Sequence, residues 1–118
     1  MEEIMLTQGM KKVIVALRSG RFTQGREMLE TPEGNLCCLG VMCKVYQEEM
    51  EPEKSQGRLN GGCLNGRKEV QEWVGLTDQE GETEKAHSLI ELNDTYDYTF
   101  KQIADYIESE PKGLLKNT

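Results

Sequence analysis

Leu36-Cys37-Cys38-Leu39-Gly40-Val41-Met42-Cys43 is the stretch on which the fold of this chain turns. Upstream of it, Glu27-Met28-Leu29-Glu30-Thr31 and Leu36-Cys37-Cys38 flank a Pro32-Glu33-Gly34-Asn35 cluster. Two short apolar runs around such a cluster predict a β-hairpin. From Leu39 the spacing changes. Leu39, Met42, Cys43, Tyr46 and Met50 recur at helical intervals, Val41 and Val45 widen the stripe, and Pro52 closes it, so a central helix follows. The octapeptide is therefore expected to be a hairpin-to-helix junction around which the remaining elements pack.

Working outward, Leu6, Met10, Val13, Ile14 and Leu17 form the apolar stripe of a first helix over Glu3 to Arg18, stopped by Ser19-Gly20. Glu51 to Gly66 is polar and glycine-rich and reads as an exposed loop with room for a second short hairpin. Lys68 to Val74 predicts a short helix closed by Gly75, and Thr77 to Glu80 a turn. Ser88-Leu89-Ile90-Glu91 opens a brief helical turn closing at Asn93-Asp94. Thr99-Phe100-Lys101-Gln102 is a capping box that starts a last helix, ending at Ser109 before Pro111. The expected class is α+β, mainly helical, with about four helices and one or two short hairpins. A single domain is expected over residues 1–110, with 111–118 a flexible tail.

Composition narrows the function. The chain has 118 residues, 36% of them hydrophobic and 30% charged, which suits one small core under a heavily solvated surface. Fourteen Lys and Arg against 21 Asp and Glu leave a net charge of -7, so direct binding to a nucleic-acid backbone is not expected. Met1-Glu2-Glu3-Ile4-Met5 lacks the basic start of a secretory signal, and the longest apolar run, Val13 to Leu17, is too short to cross a bilayer. The expected location is the cytosol, where the four cysteines stay reduced as buried thiols, metal ligands or a nucleophile.

Two chemical alternatives use those cysteines. A zinc-stabilised interaction module would draw on Cys37, Cys38, Cys63 and His87, but the knuckle spacing of structural zinc sites is missing. Cys38 and Cys43, five residues apart, would point about 140° away from each other on a continuous helix. Cys43 falls within the apolar stripe, where a thiol behaves as a small hydrophobe. A cysteine-dependent hydrolase or transferase would use Cys38 at a helix N-terminus, with His87 and Asn93 or Asp94 as partners. The surroundings of Cys38 do not match the papain-type signature, and the chain has a single histidine. Neither a glycine-rich phosphate loop nor a cofactor motif is present, and the balance leans away from an enzyme.

Two polar clusters remain. One is Arg18 with Arg21, Phe22, Gln24 and Gly25; the other is Asn93 and Asp94 with Tyr96 and Tyr98. Aromatics, amides and a forked guanidinium in irregular segments suit a small-ligand pocket or a protein hot spot. The competing reading is that Gln24 and Asn93 satisfy buried loop backbone.

Five words carry a resemblance when taken together: Ala16-Leu17-Arg18-Ser19-Gly20-Arg21-Phe22-Thr23-Gln24-Gly25, Cys37-Cys38-Leu39-Gly40-Val41-Met42-Cys43, Val70-Gln71-Glu72-Trp73-Val74-Gly75-Leu76, Leu92-Asn93-Asp94, and Phe100-Lys101-Gln102-Ile103-Ala104-Asp105-Tyr106-Ile107-Glu108. In this order, over most of the chain, they resemble a widespread family of small proteins of tailed bacteriophages and prophages. The departure is near Gly57 to Gly66, where Leu64 is followed by Asn65 rather than proline. The resemblance implies no activity. It implies a phage accessory protein in the cytoplasm of an infected bacterium, binding and blocking a host or antiviral-defence component; the two polar clusters add the alternative of sequestering a small nucleotide-like signal in a pocket built from Arg18 to Gly25 and Asn93 to Tyr98.

Overall fold

Thr7 starts the first helix, because its Oγ1 accepts from the Met10 backbone N–H at 2.9 Å and donates to the Trp73 carbonyl at 2.7 Å. Helix α1 accordingly runs Gln8–Ser19, later than the expected start at Glu3, and ends on Gly20 at φ 77. The computed structural model describes residues 6–54, 57–65, 67–82, 88–109, 111 and 113–115. Four further helices follow: α2 Cys38–Met50, α3 Lys68–Val74, α4 Leu89–Asp94 and α5 Phe100–Glu108, with a 3-10 turn at Pro52–Lys54. Ser88 and Thr99 both form reciprocal capping boxes, with Glu91 and Gln102. Local chemistry thus sets both helix starts.

The predicted hairpins are not formed: among the described residues there are only isolated bridges, Gln24 with Leu36, Glu30 with Leu36 and Leu76 with Leu115. The physical reason lies at Leu36. Its N–H donates to Thr23 O at 2.9 Å and its carbonyl accepts from Gly25 N at 2.7 Å, so both of its backbone groups serve residues 23–25. The two arms around the turn are joined by Thr31 N donating to Asn35 O at 2.8 Å and Cys37 N donating to Leu29 O at 3.2 Å, which flank the single Glu30–Leu36 bridge, and the pairing ends there because Cys37 is already the N-cap of α2. Residues 57–65 likewise form a pinned loop. Lys44 Nζ donates to Gly57 O at 2.6 Å, Leu59 N donates to Glu30 Oε1 at 3.0 Å, and Leu59 and Leu64 are buried.

Helix α2 is the centre of the core. Every residue from Cys38 to Cys43 is buried, and the helix packs on α1, α3 and α4, while α5 packs on α1 and α4. Gly40 permits the closest approach. A Cβ there would run into the Leu29 carbonyl oxygen and crowd Leu36, so the strap of residues 29–36 can cross the start of α2 only over a glycine. The expected tail is corrected at residues 113–115. Leu114 and Leu115 are buried, Thr77 N donates to Leu114 O, and Leu76 bridges Leu115. The radius of gyration, 13.0 Å, is that of one compact domain.

Candidate functional site

Helix α4 carries Asn93 into the core on the same face as Leu89 and Leu92, and the side chain is fully buried. Its Oδ1 accepts from Gln24 Nε2 at 2.8 Å and from the Cys38 backbone N–H at 3.3 Å. Its Nδ2 donates to Gly25 O at 2.9 Å and to Asp94 Oδ1 at 2.8 Å. Two donor hydrogens and two acceptor positions are all occupied. Gln24 Nε2 also donates to the Tyr98 carbonyl at 2.8 Å. The structure brings Gln24, Gly25, Asn93 and Asp94 together, and their bonds join three segments: the loop after α1, the first turn of α2 and the α4–α5 turn. Outside this junction Arg26 pairs with Asp97 at 3.2 Å, and Tyr96 is 48% exposed.

The arginines of the same cluster point elsewhere. Arg18 Nη2 reaches Asp105 and Glu108 of α5, at 2.7 Å each, and Nη1 reaches Glu108 at 3.4 Å. The guanidinium holds both carboxyls below the usual carboxylate range, chiefly through these hydrogen bonds. Arg21 grips Glu48 of α2 with both Nη atoms, at 2.7 and 3.3 Å, and lies over the Phe22 ring 4.5 Å from its centre.

Arg21 borders a feature that the sequence reading missed. Between α1 and α2 lies an open groove of about 310 Å³. Val15, Ala16 and Val45 line it, bracketed by the Arg21–Glu48 pair and by Lys12–Glu49 at 2.9 Å. Val15 is 68% exposed. The available signal was phase: Val15 is apolar but falls off the stripe of Met10, Val13, Ile14 and Leu17.

The cysteines face inward. Cys37 is the N-cap of α2, its Sγ accepting from Gly40 N at 3.4 Å, and the Cys38 thiol donates to Leu89 O at 3.7 Å. Burial pushes the Cys37 thiol up to about 11, that of Cys43 up to about 12, and that of Cys38 well above its ordinary range. A nucleophilic thiol needs the opposite environment, accessible and acidified. Asn93, named as a partner in that alternative, is fully engaged with Gln24 and backbone. His87 lies outside the described residues. Among the described residues no three His, Cys, Asp or Glu side chains converge as a metal site would require, and no helix is long and apolar enough to cross a membrane.

Residues 5–111 match the family described as a domain of unknown function, DUF8296, and the chain belongs to that family. No curated protein and no solved structure matches it.

Proposed function

We propose that this DUF8296 chain is a non-enzymatic binding protein that docks on another protein through the groove between α1 and α2. In keeping with the sequence resemblance to phage proteins, its partner would be a host or antiviral-defence component in the bacterial cytoplasm, inhibited by occupation of its surface. Exposed Val15 carries this reading. A β-branched apolar side chain at 68% exposure, beside an apolar floor and between two ion pairs, has the composition of an anchor position with a polar rim. Sequestration of a small nucleotide-like signal at Arg18 to Gly25 and Asn93 to Tyr98 is less favoured. A ligand there would have to displace hydrogen bonds that already serve Asn93, Gln24 and buried backbone.

Native mass spectrometry of the protein purified from infected or expressing cells tests the reading. The expected result is a co-purifying protein mass that is lost in Val15→Asp while circular dichroism and melting stay unchanged. Retention of the same mass by Val15→Asp, or a small-molecule adduct with no protein, would overturn it.

A further inference from the structure

Residues 113–115 lie as a strap across the end of α3. Gly75 closes that helix at φ 80, and Gln71 holds both backbone groups of the next residue: Leu76 N donates to Gln71 O at 3.1 Å, and Leu76 O accepts from Gln71 Nε2 at 3.4 Å. Thr77 serves the strap. Its N–H donates to Leu114 O at 3.1 Å, its Oγ1 donates to Gly113 O at 2.7 Å, and Leu76 bridges Leu115 in antiparallel register. The strap is itself a tight turn, Leu114 N donating to Pro111 O at 3.1 Å past Gly113 at φ 88, where a side chain would be strained. Leu114 and Leu115 are sunk into the core with Leu76, all three at most 1% exposed.

Slot and occupant are separable in two respects. The family match ends at residue 111, so Leu76 and Thr77 lie inside the family domain and Gly113 to Leu115 outside it. Three residues, with Pro111 at their centre, connect Ser109 at the end of α5 to the strap. A short connection stiffened by proline has few ways to turn back on its own domain, and such hinges are where copies of a chain exchange segments.

We infer that the slot at Leu76 and Thr77 is a recognition site for a Gly-Leu-Leu turn, and that two copies of the chain fill it reciprocally, each lending residues 113–115 to the other. The occupant is identified by what already sits there: a glycine carbonyl met by a hydroxyl, a leucine carbonyl met by an N–H, and two leucine side chains out of water. A second copy brings the same groups. Each bond lost on release of the strap is regained on exchange, no new complementary surface is needed, and chain concentration sets the balance. The exchange is independent of the groove between α1 and α2, and it places two such grooves on one assembly.

Native mass spectrometry of the full chain, mixed from ordinary and isotopically heavy batches, tests the exchange. Mixed dimers are expected to grow as concentration rises. A blocked peptide of residues 111–115, Pro-Lys-Gly-Leu-Leu, at saturating excess is expected to lower the dimer fraction by about tenfold or more and to leave monomers carrying one peptide each. The same peptide with aspartate in place of both leucines is expected to leave the dimers intact, and Val15→Asp to dimerise as the wild type does. Monomers at every concentration, dimers that ignore the leucine peptide or are dispersed equally by its aspartate counterpart, or dimers lost in Val15→Asp would overturn the exchange.

Discussion

Gln24 donates to Asn93 across 69 positions of sequence, Nε2 to Oδ1 at 2.8 Å, and this bond joins the loop after α1 to the end of α4. Through the same Asn93 oxygen the first turn of α2 is tied in at the Cys38 N–H. Removing Asn93 would leave the Cys38 N–H, the Gly25 carbonyl and one Gln24 hydrogen without their partner, the first two in a dry interior. Asn93→Ala is therefore expected to destabilise the fold by about 3 kcal/mol, and Gln24→Ala, at a partly exposed position, by about 1 kcal/mol. Urea denaturation measures both. An Asn93→Ala variant as stable as the wild type would refute a structural junction and reopen the pocket reading.

Gly40 and Gly20 separate steric from conformational constraint. Alanine at Gly40 collides with backbone of the 29–36 strap, which cannot swing aside as a side chain could, so a loss of about 2–3 kcal/mol is expected. Alanine at Gly20 meets open space but must hold φ 77, and about 1 kcal/mol is expected. The order of the two denaturation midpoints checks the argument; Gly20→Ala as the more damaging change would contradict it.

Thiol chemistry follows burial. At neutral pH iodoacetamide is expected to modify half-buried Cys63 first, with Cys37, Cys38 and Cys43 protected until the protein unfolds. Rapid alkylation of Cys38 in the folded protein would instead support the hydrolase or transferase alternative.

The same thiols predict an alkaline limit. Cys37 and Cys43 titrate at about 11 and 12 in the fold, against an ordinary 9.0, so the folded state holds their protons more tightly than the unfolded chain. Their contribution is fully present below pH 9 and falls as pH rises toward 11 and then 12. Denaturant midpoints across this range are expected to drop, and Cys43→Ala to show a shallower decline. Equal slopes for the two proteins would refute the attribution to Cys43.

Arg18 predicts behaviour at the acid end. Asp105 and Glu108 titrate below their ordinary 3.8 and 4.5, so their contribution is present above those values and is lost as pH falls through the lowered ones. All three groups are solvent-exposed, so the effect is small and screened by salt. Arg18→Met is expected to flatten the acid limb of the melting-temperature profile at low ionic strength and to leave neutral stability almost unchanged. An acid limb identical to that of the wild type would refute the pairing.

Much of the architecture was legible because neighbouring residues decide it. Lys68–Val74 with its Gly75 stop, the Ser88 and Thr99 capping boxes and the apolar stripe of α2 are local patterns, and the helices form where those patterns lie. The first helix began later than its stripe implied because the Thr7 hydroxyl caps it three residues before Met10. The 27–38 segment closes its turn but forms no strands, and the spacing of apolar residues could not reveal this, because pairing stops at the single Glu30–Leu36 bridge, where Cys37 already caps α2. Leu114 and Leu115, past Pro111, looked like a tail because their burial depends on Leu76 and Thr77, far away in sequence.

Of the candidate site, the sequence by itself determined which side chains had the chemistry to bind: two arginines, two amides, aromatics at loop positions and a thiol at the head of α2. Only the tertiary structure decided what those groups face. It turned Arg18 to α5 and Arg21 to Glu48, filled every hydrogen-bonding position of Asn93, buried Cys38, and left Val15 and Met50 in solvent. The physical reason is that spacing along the chain sets which face of an element a residue occupies. Whether that face meets protein or water depends on packing between segments tens of residues apart.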